Sequence, residues 1–318
     1  MKKGFIKKQI SNQYTIVDLE THDEMLAQAR GKLRYLKLDE ESSFNRQTTK
    51  KTKIEQKIAQ VNPKVGDHVI YDMKDEKVLI HEILPRKNDL IRPDVANIDQ
   101  AILVFSAVNP DFSFLLLDKF LVIMSQENLT PILVVSKIDL IEQHALTILK
   151  EKLTYYQDMG LETYYVNSKQ KIGFDVLEHV FAHKLSVLAG QTGVGKSTLL
   201  NGLMPELGLK TQEISKALGR GKHTTRHTEL YSFNEGYIVD TPGFSKIELS
   251  LFYPEDLKPH YPDFIKLGSE CRFGFTCLHD KEPGCAVKEA VETGAIPLER
   301  HQNYLQFLDE IKSQKEKY

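Results

Sequence analysis

The chain has 318 residues, of which 41% are hydrophobic and 27% are charged, with a formal net charge of −2 at pH 7. This length allows two or three domains, and the composition is typical of a soluble globular protein. No apolar run reaches the roughly 18–20 residues of a membrane span, and the basic start lacks the apolar core of a signal peptide. We therefore expect a cytoplasmic protein with no membrane partner.

Residues 1–88 contain short segments rich in β-branched and aromatic residues. These segments predict strands at 5–10, 14–19, 32–38, 69–73 and 77–84. About five short strands in fewer than 90 residues suggest a small closed barrel such as an OB-fold. The polar stretch 39–61 interrupts the pattern and is either a mobile insertion or contains a short helix over 53–59. The basic residues within 46–57 form either a solvated loop or an RNA contact.

From residue 92 onward, predicted strands and helices alternate. Apolar runs predict strands at 101–105, 131–135, 164–167 and 185–189, and helices are expected over 114–127, 141–159 and 176–182. A helix over 196–203 and strands at 229–233 and 237–239 follow. This alternation predicts an α/β domain with a largely parallel sheet.

The tetrad Ser136-Lys137-Ile138-Asp139 directly follows the strand at 131–135. The Asp139 carboxylate would accept two hydrogen bonds from the N1–H and N2 amine of guanine, whereas adenine would leave it unpaired. G proteins usually carry asparagine where Ser136 stands, and we expect the shorter side chain to lose a hydrogen bond that braces the loop. The alternative is that the tetrad only caps the helix that follows. Asn167-Ser168-Lys169 is a candidate for a second loop at the guanine.

A phosphate-binding loop lies between the strand at 185–189 and the helix at 196–203. Its residues are Gly190, Gln191, Thr192, Gly193, Val194, Gly195, Lys196 and Ser197, with Thr198 next in the helix. The glycines let backbone N–H groups close around phosphates, and the helix N-terminus adds a favourable dipole. We expect Lys196 to reach the β- and γ-phosphates and Ser197 to bind Mg²⁺ through its hydroxyl.

The order of these motifs differs from that of an ordinary G protein, in which the base-reading tetrad comes after the phosphate loop. Here residues 136–139 precede residues 190–197, which predicts a circularly permuted G domain. The permutation places Asp240-Thr241-Pro242-Gly243 at the end of that domain. We expect Asp240 to hold Mg²⁺ and the backbone N–H of Gly243 to contact the γ-phosphate.

The glycine-rich and basic segment 219–227 lies between the phosphate loop and Asp240, where G proteins carry their first switch loop. Thr224 or Thr225 is expected to bind Mg²⁺ when the γ-phosphate is present, and the sequence leaves both open. The basic side chains of the segment form either a solvated loop or a contact to RNA phosphates. Phe244 stands where signalling G proteins carry a water-orienting glutamine, so we expect slow unassisted hydrolysis. His223 is the candidate catalytic residue, and the alternative is a structural or RNA-facing histidine.

All three cysteines of the chain lie close together, as Cys271, Cys277 and Cys285, with His279 among them. Three thiolates and one imidazole suit a closed tetrahedral Zn²⁺ site that has no open position for catalysis. An odd, clustered set of cysteines indicates metal ligation in a reducing compartment and not disulfides. The alternative is a set of buried free thiols. A terminal helix is expected over 297–315.

Together these motifs resemble those of the circularly permuted small ribosomal subunit biogenesis GTPases, the RsgA family. The resemblance covers nearly the whole chain and extends to residues 92–99, 219–225, 240–244 and 271–288. It implies a multidomain protein with an N-terminal OB-fold (1–88), a permuted GTPase domain (89–249) and a C-terminal zinc-binding domain with helices (250–318). His223 matches the proposed catalytic histidine of the family, and Cys271, Cys277, His279 and Cys285 match its zinc ligands.

The resemblance also implies an activity. It indicates a GTPase stimulated by the small ribosomal subunit, which binds rRNA late in maturation, promotes release of another assembly factor and leaves after hydrolysis. Nothing in the sequence indicates more than a monomer. One rival is a kinase that transfers the γ-phosphate to a small molecule, and the other is an RNA-binding module whose nucleotide is not hydrolysed. A preference for GTP with no small-molecule acceptor would count against the kinase.

Overall fold

The computed structural model describes residues 1–29, 34–36, 59–60, 62–74, 76–90, 93–207, 228–239 and 253–315. The first seven strands are β1 (Lys2–Ile10), β2 (Gln13–Asp18), β3 (Glu24–Ala29), β4 (Arg34–Leu36), β5 (Ala59–Gln60), β6 (His68–Lys74) and β7 (Lys77–Ile83). Five of them form a barrel. β1 pairs with β2 and β6, β2 pairs with β3, and β6 pairs with β7, all antiparallel, while the parallel pair β3–β7 closes the ring. The predicted five-stranded barrel is confirmed.

The third barrel strand is not the one that the sequence indicated. The prediction was 32–38, but β3 is the strand that joins β2 to β7. Only Arg34–Leu36 of the predicted segment is a strand, and it pairs with Ala59–Gln60 in a separate two-stranded sheet. β3 has no β-branched residue, and Ala27 is its single buried side chain, so its conformation comes from the strands beside it and not from its own propensity. Residues 53–58 of the proposed helix lie outside the described residues.

Eight further strands follow in the described ranges. They are β8 (Asp89–Leu90), β9 (Val95–Ala96), β10 (Gln100–Ser106), β11 (Thr130–Ser136), β12 (Glu162–Tyr165), β13 (Leu185–Ala189), β14 (Thr228–Phe233) and β15 (Gly236–Val239). β10 to β15 form a sheet in the order β12-β11-β10-β13-β15-β14, which we call the G sheet. All its neighbouring strands are parallel except β14, which is antiparallel to β15. The predicted parallel α/β architecture is confirmed.

Helices cover both faces of the G sheet, which explains its continuous apolar strands. Four helices follow its strands: α1 (Phe114–Gln126), α2 (Gln143–Asp158), α3 (Phe174–Val180) and α4 (Lys196–Leu203). Leu103 and Phe105 belong to the core cluster shared with α1 and α2, while Ile102 and Val104 belong to the cluster shared with α3 and α4. Because alternate strand residues face opposite sides, both sets must be apolar.

Residues 253–315 form a C-terminal module with helices α5 (Pro262–Gly268), α6 (Ala286–Glu292) and α7 (Leu298–Lys315). α7 packs against α1, where Lys119 Nζ lies 3.2 Å from Glu310 Oε2. A buried charge cluster also joins the two elements, because the Arg300 guanidinium contacts both Asp118 of α1 and Asp263 of α5. None of the helices in the described ranges combines the length and apolar character needed to cross a membrane.

The barrel and the G sheet are joined edge to edge. β1 pairs antiparallel with β14 through Lys8↔Glu229 and Gln9↔Thr228. The Lys8 ammonium lies 2.8 Å from the Glu229 carboxylate. Beside this joint, the Phe5 and Tyr237 rings meet edge to face with centroids 4.8 Å apart. The barrel is therefore hydrogen-bonded to the strand β14 that follows residues 219–227.

Candidate functional site

The predicted phosphate loop connects β13, a central strand of the G sheet, to α4. Three of its glycines have positive φ: 142° at Gly190, 87° at Gly193 and 96° at Gly195. A Cβ atom on Gly190 would lie 2.2 Å from the carbonyl oxygen of Val104 on the neighbouring strand. Glycine at position 190 is therefore required by close backbone approach as well as by φ.

Lys196 opens α4 and closes the loop on itself. Its Nζ donates to the carbonyl oxygens of Gly190 and Gln191, each at 2.7 Å. Burial lowers the pKa of Lys196 to about 8. A phosphate bound in the loop would offer this ammonium better acceptors than two backbone carbonyls. Of the other loop and helix residues, Val194 is buried, Gln191 and Ser197 are half-buried, and Thr192 and Thr198 are exposed.

The base-reading tetrad ends β11 at the same edge of the sheet, since parallel strands point the same way. The Ser136 hydroxyl lies 2.5 Å from the carbonyl oxygen of Val194 in the phosphate loop and 3.2 Å from that of Phe105. The expectation that serine loses the bracing hydrogen bond was therefore wrong. The hydroxyl reaches because the backbone of the phosphate loop approaches β11 directly, and a longer side chain is not needed.

The other two polar residues of the tetrad differ in their surroundings. Lys137 has a φ of 56°, and its Nζ donates to the carbonyl oxygen of Asn109 in the loop after β10. Asp139 is exposed and, among the described residues, has no hydrogen-bond or ion-pair partner. Its carboxylate is thus available to accept hydrogen bonds from a ligand.

The loop after β10 was missed by sequence reasoning. Ser106 Oγ donates to the Pro110 carbonyl at 2.6 Å, and a Cβ atom added to Gly193 in the phosphate loop would lie 3.9 Å from Pro110 Cδ. The loop thus lies against both motifs. The available signal was that β10 ends between β11 and β13, at the edge where the motifs meet.

The second candidate guanine loop is closed by Asn167. Its Oδ1 accepts from the backbone N–H groups of Lys169 at 3.0 Å and Gln170 at 3.2 Å. Asn167 also exchanges backbone hydrogen bonds with Ile172, both at 3.1 Å. The turn follows β12, the next parallel strand after β11, and therefore lies at the carboxyl edge of the sheet.

Five predicted site residues lie outside the described residues: His223, Thr224, Thr225, Asp240 and Gly243. The structure does describe the strands on either side. β14 begins at Thr228 and β15 ends at Val239. Because β15 is the parallel neighbour of β13, it is directed to the same edge as the phosphate loop.

Cys271, Cys277, His279 and Cys285 form a buried cluster in the C-terminal module. Their ligand atoms all lie within 4.8 Å of one another. His279 Nδ1 lies 3.7 Å from Cys271 Sγ and 3.4 Å from Cys285 Sγ, and the two sulfurs are 4.0 Å apart. A tetrahedral site with metal–sulfur bonds of ~2.3 Å has sulfur–sulfur edges of ~3.8 Å. The four side chains can therefore hold one metal ion.

The electrostatics of the cluster fit a cation. Burial lowers the pKa of His279 to about 4, which keeps its imidazole neutral as a ligand must be. Burial raises the pKa of Cys277 to about 12, so three thiolates would not form there without a compensating positive charge. A divalent metal supplies that charge.

Polar side chains around the cluster shape its loop and were not predicted from the sequence. The Glu282 carboxylate accepts from the backbone N–H groups of Leu278 and Asp280, at 3.1 and 2.9 Å. His301 Nε2 donates to the His279 carbonyl oxygen at 2.8 Å. The Tyr304 hydroxyl donates to the Leu278 carbonyl oxygen at 3.0 Å. α7 therefore supports the metal-ligand loop directly.

Comparison with known proteins gives one family. The model of the RsgA GTPase family matches residues 83–250. The chain is 51% identical over 99% of both chains to the small ribosomal subunit biogenesis GTPase RsgA of Onion yellows phytoplasma (strain OY-M). It is 42% identical over the full length of both chains to the RsgA of Bacillus subtilis (strain 168).

Two solved structures share the fold. The crystal structure of YloQ, a circularly permuted GTPase, matches with a TM-score of 0.78 and 36% identity over 99% of this chain and 96% of that one. The structure of YjeQ from Thermotoga maritima matches with a TM-score of 0.75 and 35% identity over 98% of both chains. With its tetrad on β11 ahead of its phosphate loop on β13, the chain belongs to the circularly permuted RsgA GTPase family.

Proposed function

We propose that this protein is a GTP hydrolase that acts in biogenesis of the small ribosomal subunit. The observation that carries the proposal is the hydrogen bond from Ser136 to Val194, which joins the guanine tetrad to the phosphate loop at one edge of the sheet. A base-reading carboxylate and a phosphate loop held at a fixed distance can select one nucleotide. The names of the full-length relatives supply the biological context.

The phosphates and Mg²⁺ are assigned to the residues at the carboxyl ends of β13 and β15. The backbone N–H groups of 190–195 would surround the β-phosphate, and Lys196 would exchange its two backbone carbonyls for phosphate oxygens. Ser197, Asp240 and Thr225 (or Thr224) are the proposed Mg²⁺ ligands, and Gly243 is the proposed γ-phosphate contact. Mg²⁺ bound there would neutralise charge on the β- and γ-phosphates.

Asp139 is assigned to the guanine, and its chemistry gives a direct test. Asparagine at this position would replace one acceptor by an N–H donor, which suits the carbonyl oxygen that xanthine carries where guanine has its amine. We expect Asp139→Asn to weaken GTP hydrolysis and to gain xanthosine triphosphate hydrolysis. Unchanged nucleotide preference in this variant would count against the assignment.

Hydrolysis requires a group that orients water, because Phe244 has no hydrogen-bonding side chain. We propose His223 for this role and propose that the small ribosomal subunit positions it. Loss of stimulated turnover in His223→Ala, with GDP binding unchanged, would support the role. A variant that still responds to subunits like the wild type would exclude it.

We propose that the metal cluster holds one structural Zn²⁺. Three thiolates and one imidazole are ligands that Zn²⁺ prefers, and four protein ligands leave no open position. Metal analysis of the purified protein should give one zinc per chain.

In the proposed cycle, the GTP-bound protein acts in the cytoplasm as a monomer. It binds rRNA of the small subunit at a late stage of maturation through its barrel and C-terminal module, and it dissociates after hydrolysis. The cycle serves as an assembly checkpoint and can couple to the release of another assembly factor. The domain limits 1–88, 89–249 and 250–318 are proposed with it.

The decisive experiment measures GTP hydrolysis with and without purified small ribosomal subunits, with ATP and large subunits as controls. We expect stimulation only with GTP and small subunits. No stimulation would leave a permuted GTPase whose activator is different. Equal turnover of ATP would contradict the base-reading role of Asp139.

A further inference from the structure

Two phenylalanine rings are exposed on the loop that joins the first two cysteines of the metal cluster. Phe273 is 47% exposed and Phe275 is 65% exposed. They belong to residues 272–276, which we call the aromatic knuckle. Single exposed apolar side chains are common on protein surfaces, but two phenylalanines within five consecutive residues concentrate apolar area in one place.

The backbone of the aromatic knuckle and its Phe275 ring are held in place. Thr276 Oγ1 donates to the Phe273 carbonyl oxygen at 2.7 Å, and Lys258 Nζ donates to that of Phe275. The Phe275 ring lies against Gly268, where an added Cβ would come within 3.1 Å of it. A ring fixed in this way loses little conformational entropy when a partner covers it.

The third side chain of the aromatic knuckle is a cation. The Arg272 guanidinium lies 6.0 Å from the centroid of the Phe273 ring. Within the part of the chain that the structure describes, it pairs with no carboxylate. Nucleobases stack on phenylalanine rings and on guanidinium planes alike, and a guanidinium also binds phosphate. An apolar peptide would gain nothing from Arg272, so the three side chains fit a nucleic acid better than an apolar protein surface.

We propose that the aromatic knuckle stacks unpaired bases of RNA, with Phe275 as one platform and Phe273 with Arg272 as the other. The inference rests on the proposed function, which supplies rRNA as the partner. Bases in an A-form duplex expose only their groove edges, so the ligand is a single-stranded loop, bulge or end.

The first experiment uses the fact that the chain contains no tryptophan. Phe275→Trp would introduce a single tryptophan, which can be excited selectively over the 13 tyrosines and keeps a stacking face. We expect titration of this full-length, metal-loaded variant with a short oligoadenylate to quench its fluorescence. A duplex RNA of equal length should not do so. An unquenched tryptophan in both titrations would overturn the proposal.

The second experiment compares subunit binding by leucine variants. Phe273→Leu and Phe275→Leu keep apolar bulk but remove the aromatic face. Each should weaken binding to small ribosomal subunits by roughly fivefold to 150-fold, the equivalent of ~1–3 kcal/mol of stacking per base. Leu298→Ala is the matched control, because Leu298 is also exposed (59%) in the same module. Zinc content and basal GTP hydrolysis should remain those of the wild type in all three.

Each remaining outcome has a meaning. Subunit binding that both leucine variants retain would overturn the proposal, as would an equal loss in Leu298→Ala. If small subunits quench the tryptophan of Phe275→Trp but oligoadenylate does not, the partner of the aromatic knuckle is a ribosomal protein and not RNA bases. If subunits neither bind the wild type nor stimulate it, the proposed function fails. The oligoadenylate titration then still decides whether the aromatic knuckle stacks RNA bases.

Discussion

Replacing Arg300 by methionine tests whether a buried charge cluster fixes the C-terminal module to the G sheet. The guanidinium donates to both oxygens of Asp263 at 2.6 and 2.8 Å and to Asp118 at 2.5 Å. The three side chains are at most 8% exposed, and the Tyr261 ring lies 4.6 Å from the guanidinium. Methionine keeps an apolar stem but has no donor, so both carboxylates would lose their cation.

The expected cost is large and depends on pH. Removing one partner of a buried ion pair costs ~3–5 kcal/mol, because the other charge stays buried. Burial already raises the pKa of Asp118 to about 6, from 3.8. A raised carboxyl pKa means that the folded chain binds the proton more tightly than the unfolded chain. Protonation of Asp118 therefore stabilises the fold below pH 3.8, and this stabilisation is lost as pH rises through about 6. Arg300 lowers the pKa of Asp118, so its removal should raise that pKa further, and the loss of stability in Arg300→Met should be larger at pH 8 than at pH 5.

Hydrogen exchange of backbone amides measures this cost locally. At pH 8, amides of α1, α5 and α7 should exchange about 150- to 5,000-fold faster in Arg300→Met, while the barrel strands stay as in the wild type. Asp118→Asn keeps an acceptor for Arg300 but loses the one that Asn303 Nδ2 uses, so it should cost ~1–3 kcal/mol, less than Arg300→Met. Arg272→Met, the same change at an exposed arginine, should stay within ~0.5 kcal/mol. An increase of less than tenfold in the exchange rates of α7 in Arg300→Met would show that the charge cluster does not fix the module.

Three further predictions concern the two sites. Gly190→Ala should weaken GDP binding by roughly tenfold or more, because a Cβ would lie 2.2 Å from the Val104 carbonyl oxygen; calorimetry that gives wild-type affinity would contradict this. Bound phosphates favour charged Lys196, whose pKa burial lowers to about 8, so GDP affinity should fall above that pH by up to about tenfold per unit. Calorimetry in two buffers should then show proton uptake at pH 9 and little at pH 7. Cys277→Ser should lose its metal, and the amides of α6 should lose their protection from hydrogen exchange while the barrel stays folded. A metal-free variant whose α6 amides remain protected would argue against a structural ion.

The barrel shows where sequence patterns stop being informative. Strands β1, β2, β6 and β7 contain β-branched and aromatic residues and were predicted. β3 reads Glu-Met-Leu-Ala-Gln-Ala and carries no such signal. It is a strand because β2 and β7 supply hydrogen-bond partners on both sides. Pairing with neighbours that are distant in sequence, such as Ala27 with Val78, cannot be read from a local window.

The approach of the tetrad to the phosphate loop was predictable from the order of the strands, but its contacts were not. Buried parallel strands point one way, so motifs that follow them must meet at one edge. The contact from Lys137 to Asn109 depends on how the loop after β10 folds back, which has no sequence pattern. The Ser136 error arose from comparing side-chain lengths without knowing how closely two backbones approach. Arg300 was missed for a related reason, since its partner Asp118 lies 182 residues away and both look like solvent-facing helix residues.

The pairing of β1 with β14 has a consequence for how the chain is made. Residue 8 pairs with residue 229, so a ribosome must add about 220 residues after β1 before β14 exists. At ~5–20 residues per second this takes roughly 10–45 s. The barrel strands are complete long before then, and during that interval the edge of β1 that later binds β14 has no partner. If the barrel closes first, the unpaired edge of β1 is limited to the two residues that later pair with β14. This short edge would need protection from other strands until translation of β14 is finished.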